Sequence, residues 1–190
     1  MSHRPVSTPP AARARRLTRK ALLAAAFVAV ALPTALPAAE LDITLEIPRM
    51  SVAEYHRPYV AVYVEGADGK AAADLAVWYL QKDTAEGHGT KWLPDLRQWW
   101  RKSGRTQALP VDGVSGPTRP AGRHALTFDA RDPRLSGLAP GRYAVVVEAV
   151  REVGGRELLK IPFDWPAKAA RSGKAQGESE LGAVSLAVRP

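Results

Sequence analysis

The sequence predicts an all-β protein, an immunoglobulin-like antiparallel β-sandwich of about seven strands with one inserted helix. Three observations carry that expectation. Apolar residues alternate with period two or form short β-branched runs, Gly- and Pro-containing turn signals separate those runs, and a helical period appears only once.

In chain order, Leu41, Ile43, Leu45 and Ile47 alternate with Asp42, Thr44 and Glu46, which predicts a half-buried strand ending at Pro48. Pro58 to Glu65 (PYVAVYVE) is apolar on both faces and suits a central strand. Asp68-Gly69 then predicts a turn into a strand from Ala73 to Leu80. Pro94 suits a first helical position, and Leu96, Trp99 and Trp100 share one helical face. Gly104 ends that helix. Further strands are predicted at Arg123 to Asp129, at Arg142 to Val150 after Pro140-Gly141, and at Glu157 to Phe163. Gly154-Gly155 is the expected tight primed turn between the last two. Pro166 to Ser179 is polar and Ala/Gly/Lys-rich and reads as a long mobile connection, with Leu181 to Val188 as the closing strand.

Residues 1–39 read as a cleaved signal peptide, leaving 40–190 as a single sandwich domain. Arg4, Arg13, Arg15, Arg16, Arg19 and Lys20 form a basic start, Ala21 to Leu32 an apolar run, and Pro33 to Ala39 a small-residue tail. The apolar run has 12 residues, short of the roughly 20 that a spanning helix needs. The expected location is therefore the periplasm, with no stable membrane anchor in the mature form. The formal charge of +8 comes from 27 basic and 19 acidic residues, and six of the basic ones lie in this leader. What remains is close to neutral, without a basic stripe, which argues against a nucleic-acid partner. With no cysteine, disulfides, thiolate catalysis and Cys-based zinc sites are excluded.

No complete catalytic motif is present, so no catalytic residue is assigned and the reading leans away from an enzyme. Gly113-Val114-Ser115-Gly116-Pro117 starts like a nucleophile elbow but has Pro where the second Gly belongs. Gly87-His88-Gly89 lacks the third glycine of a dinucleotide loop. His56, His88 and His124 have no metal-ligand spacing, and no metal is assigned. Trp92, Trp99 and Trp100 either plug an open edge or mouth of the sandwich or form a platform for a planar ligand, with Arg97, Arg101 and Lys102 beside it. Val111 to Pro120 is a turn-rich surface loop holding two hydroxyls, Ser115 and Thr118. It reads either as a plain connection, with Asp112 tying its backbone, or as a site.

Leu41 to Pro48, Arg57 to Val62, Lys91 to Trp100, Asp112 to Pro120, Trp165 and Glu180 to Leu186 together resemble a family of predicted bacterial periplasmic proteins of unassigned function. Phe128 to Asp132 and Leu138 to Tyr143 are similar to the immunoglobulin-like domain of flagellar hook-capping proteins. The resemblance implies association with membrane-bound reductases and with a periplasmic FAD:protein FMN transferase, which esterifies FMN to a Thr or Ser in a motif resembling Asp-x-x-Ser-Gly-Ala-Thr. Asp112, Ser115, Gly116 and Thr118 match that motif as a cofactor-binding set, and Pro117 replaces its Ala.

Two functions follow. The first is a binding or scaffold domain accessory to a membrane-associated reductase system. The alternative is an electron carrier covalently flavinylated with FMN on Thr118, in which the cofactor holds the chemistry.

Overall fold

Two sheets face each other across a core built by the alternation visible in the sequence. The computed structural model describes Met1, residues 39–83 and residues 87–190. The described residues from 39 onward belong to one compact unit, Leu36–Pro190. The expected signal peptide lies outside the described residues apart from Met1 and Ala39.

The strands are β1 (Glu40–Ile47), β2 (Tyr59–Gly66), β3 (Ala71–Tyr79), β4 (Ser115–Pro117), β5 (Gly122–Asp129), β6 (Gly141–Val150), β7 (Arg156–Trp165), β8 (Arg171–Gln176) and β9 (Ala183–Arg189). One sheet has the order β5-β1-β9-β8 and the other β4-β3-β2-β6-β7. This is the expected all-β sandwich, with two departures among the described residues: nine strands instead of about seven, and a parallel pairing of β4 with β3 in an otherwise antiparallel arrangement.

An unexpected edge strand corrects the reading of Pro166 to Ser179 as a mobile connection. Its middle is β8, paired from Arg171↔Val188 to Gln176↔Ala183. The strand was hidden because it is a polar edge, where charged side chains blunt unwanted pairing. Gly173 is required there, since a Cβ would lie 2.4 Å from Ile161 Cγ2 on β7.

Leu41, Ile43, Leu45 and Ile47 of β1 point into the space between the sheets, where they meet Val60, Val62, Val64, Val145, Val147, Val184, Leu186 and Phe128. Strand β2 is apolar on its other face because that face is covered too. Ala61, Tyr63, Val77, Tyr79 and Val146 form a second core with Leu93, Leu96, Trp99 and Val114. The cover is a 3-10 helix (Gly89–Asp95), a short α1 (Arg97–Lys102) and a 3-10 turn (Gly104–Thr106). The single helix expected from Pro94 is thus divided, with Pro94 inside the 3-10 segment. It lies over the outer face of the five-stranded sheet, not across an edge or mouth of the sandwich.

A β-bulge prepares this outer face. Val62 pairs with Ala76 and Tyr63 with Asp74, so Leu75 is the extra residue. Bulges re-aim neighbouring side chains. Here Leu75 and Ala76 both enter the inter-sheet core, and Asp74 turns outward to accept the Trp99 indole N–H at 2.8 Å. The Ser103 hydroxyl and the Gln107 amide also donate to Asp74. On β6, Glu148 is fully buried and accepts the backbone N–H of Gln98 (3.0 and 3.1 Å) and of Trp99 (2.8 Å), with Arg156 Nε at 2.7 Å. A strand carboxylate thereby satisfies the first amides of α1, which otherwise lack partners.

Candidate functional site

A cleft of about 850 Å³ opens where β2 and β7 begin and β3 and β6 end. Its size falls in the roughly 300–1,000 Å³ range of small-molecule sites. Tyr55, His56 and Arg57 come from the segment before β2, Tyr59 from β2, and Trp92, Asp95 and Arg97 from the helical layer. Residues 151–155 come from the turn between β6 and β7. Thr118 completes the lining from the residue after β4.

Of the four residues singled out in the Asp112 to Thr118 motif, the structure brings only Thr118 to the cleft wall. Asp112 stands exposed in a turn whose Gly113 has φ 70. Ser115 is committed to the loop itself, accepting the Val111 N–H on its hydroxyl at 3.0 Å. Gly116 lies against Trp78, where a Cβ would come 3.3 Å from the indole Cδ1. Val77 donates to the Val114 carbonyl at 2.9 Å and Arg134 Nη1 to the Gly113 carbonyl at 2.8 Å. Ser115, Arg134 and the β3 pairing are thus what tie the segment down. Arg134 is held in turn by Asp132, whose carboxyl its hydrogen bonds keep below the usual range. Pro117 fits because β4 is an edge strand, where a missing N–H costs no ladder bond.

The tryptophans separate. Trp99 is fully buried with its N–H on Asp74, so it is core and not a ligand platform. Trp100 is half-buried against it, with ring centroids 6.1 Å apart. Trp92 alone of the three lines the cleft, with the Lys91 ammonium 5.2 Å from its ring centroid. Of the three cations expected beside them, Arg97 lines the cleft, whereas Lys102 pairs with Glu65 at 2.5 Å and Arg101 Nε donates to the Arg97 carbonyl at 3.2 Å.

The remaining cleft residues are held from below. Arg151 and Glu180 form a buried pair at 3.0 and 3.2 Å, and Glu180 also accepts the Gly155 N–H at 2.7 Å. The turn they support differs from the expected one: positive φ falls on Val153, at 52°, and not on Gly154 or Gly155. Tyr59 donates to the Gly89 carbonyl at 3.0 Å, and burial pushes its phenol above the ordinary value, so it stays protonated. His56 sits between Glu54 (2.9 Å) and Glu152 (3.4 Å), far in the chain from His88, which pairs with Asp83, and His124, which donates to the Pro120 carbonyl.

A sequence-family profile described as "Predicted periplasmic protein (DUF2271)" matches residues 40–183. The chain belongs to this family. No curated protein and no solved structure matches it. Among the described residues of this DUF2271 protein, no helix is long and apolar enough to cross a membrane. The family match spans every motif residue and every strand through β8, reaching only the first residue of β9, so the cleft is part of the DUF2271 region. Tyr55, the 151–155 turn and Glu180 were missed as a group because they belong to loops with no shared period or motif.

Proposed function

We propose that this exported domain is accessory to a membrane-associated reductase system and carries FMN esterified to Thr118. The observation supporting this reading is that Thr118, and not Ser115, stands on the wall of a cleft that also holds Tyr55, Tyr59, Trp92, Arg57 and Arg97. An aromatic-lined cavity with cationic groups suits a planar ring with an anionic arm.

In the transfer, Thr118 Oγ1 attacks the flavin-side phosphorus of FAD. An O–P ester forms, the pyrophosphate P–O bond breaks, AMP leaves with the bridging oxygen, and the threonine proton passes to a base of the transferase. The flavin is neither oxidised nor reduced in that step. Its later electron relay between a membrane reductase and a periplasmic acceptor is cofactor chemistry.

Co-expression with an FAD:protein FMN transferase should give a yellow protein about 0.44 kDa heavier by intact mass, one covalent modification. Thr118→Ala should abolish the added mass and Ser115→Ala should retain it. An unmodified mass in the wild-type protein would leave the cofactor-free scaffold reading, in which the sheet faces and loops make the contacts.

A further inference from the structure

Exposed apolar surface in the Leu36–Pro190 unit is concentrated. Among its described residues, three large hydrophobic side chains are exposed: Val52, Tyr55 and Val153. Tyr55 and Val153 line the cleft from two different loops, and Val52 lies three residues before Tyr55 on the same segment. Single exposed hydrophobics are ordinary on a protein surface, but the meeting of two of these three at one cavity is not.

Val153 carries a second signal. It is 79% exposed and occupies the left-handed region at φ 52, where a β-branched residue is strained, although two glycines follow it. Strain of this kind persists only where surrounding structure enforces it, and it concentrates at ligand clamps. The enforcement is visible. Arg151 N–H donates to the Gly155 carbonyl at 3.1 Å, Gly154 N–H to the Arg151 carbonyl at 3.0 Å, and Glu180 holds both Arg151 and Gly155 from below. The turn is a stiff arm presenting an isopropyl group to the cleft.

We infer that Val153 and Tyr55 form two jaws of a site for the flavin ring, so that the ring is held against the protein and does not swing in solvent. The ligand's identity rests on the carrier reading above; the jaws rest on exposure, strain and the shared cleft. The apolar edge of an isoalloxazine gains from covering Val153 and Tyr55, Trp92 offers an aromatic surface, and Arg57 and Arg97 suit the polar end and the phosphate.

The test uses wild-type protein made without the transferase, titrated with riboflavin and with FMN while flavin fluorescence is followed. Saturable quenching is expected for both, with FMN binding more tightly. Val153→Gly removes the strain, so folding is preserved or improved, yet flavin affinity should fall about tenfold with loss of the buried isopropyl group. Tyr55→Ser should weaken binding by a similar factor. Absence of saturable quenching, or wild-type affinity retained in both variants, overturns the inference. Failure of the carrier reading looks different: wild-type protein that quenches flavin yet gains no mass with the transferase keeps the jaws and loses the ester. Conversely, a modified protein whose flavin fluoresces as the free molecule does, and is unchanged by Val153→Gly, keeps the ester and loses the jaws.

Discussion

Replacing Trp99 with alanine tests whether the helical layer closes a second core. The side chain is fully buried between α1 and the outer face of the five-stranded sheet. A buried indole removes about 200 Å² from water, worth about 5 kcal/mol at 25 cal/mol per Å², and large-to-alanine changes at buried aromatics cost about 3–5 kcal/mol. Asp74 would lose the indole N–H but keep Ser103 and Gln107, adding about 1 kcal/mol. The expected loss is therefore about 4–5 kcal/mol. With a urea slope of about 1.5–2 kcal/mol per M, the unfolding midpoint should fall by about 2–3 M. Far-UV circular dichroism is the right probe, because fluorescence would lose one of its own reporters. Trp100→Ala, at a half-buried position, should cost about 1–2 kcal/mol and serves as the comparator. If Trp99→Ala moved the midpoint by less than about 0.5 M, or no more than Trp100→Ala, the second core would not be a stabilising layer.

Tyr63→Phe should raise stability by about 1 kcal/mol in the same assay, because the buried Tyr63 hydroxyl has no hydrogen-bond partner among the described residues. Gly89→Ala should lower the melting temperature sharply and loosen the 3-10 segment, since its Cβ would fall 1.7 Å from the Leu80 carbonyl oxygen; a melting temperature within about 2 °C of wild type would contradict this packing. Acid should destabilise the fold through Glu65 and Glu157. Burial pushes both carboxyls up, but Lys102 and Lys160 at Glu65, and the backbone N–H groups of Glu178, Leu181 and Ser179 at Glu157, more than reverse it, leaving both below the ordinary glutamate value. A depressed native pKa adds stability that is fully present above the unfolded value and lost as pH falls below it. Melting temperatures should thus drop as pH falls below about 4.5, less steeply in a Glu65→Gln, Glu157→Gln double variant, and a parallel profile would refute the assignment.

Seven of the nine strands were legible because their side chains obey a two-sided rule. Strand β1 alternates, and β2 and β6 are apolar on both faces because they lie between two cores. Strand β8 carries Arg171, Lys174 and Gln176 and buries little, so no hydrophobic period marks it. Strand β4 is three residues long and owes its conformation to β3. The helix was legible in its buried face, Leu96 and Trp99, but not in its division at Pro94, which depends on docking. At the site, Thr118, Trp92 and Arg97 were visible in the sequence, whereas Tyr55, Val153 and the Arg151–Glu180 pair meet only through tertiary folding of segments distant in the chain. The strain at Val153 was hidden for a related reason: two adjacent glycines advertise left-handed backbone, and the hydrogen bonds of the turn assign it to the residue before them.

The cleft straddles a seam. Trp92, Asp95 and Arg97 belong to the segment laid over the sheet, while Tyr59, Leu80 and Val150 belong to the strand ends beneath it. Lifting that segment away, a local opening that leaves the sandwich folded, would dismantle the cavity. Any occupant therefore acts as a rivet between cover and sheet, slowing amide hydrogen exchange across residues 89–106 while leaving the four-stranded sheet unaffected.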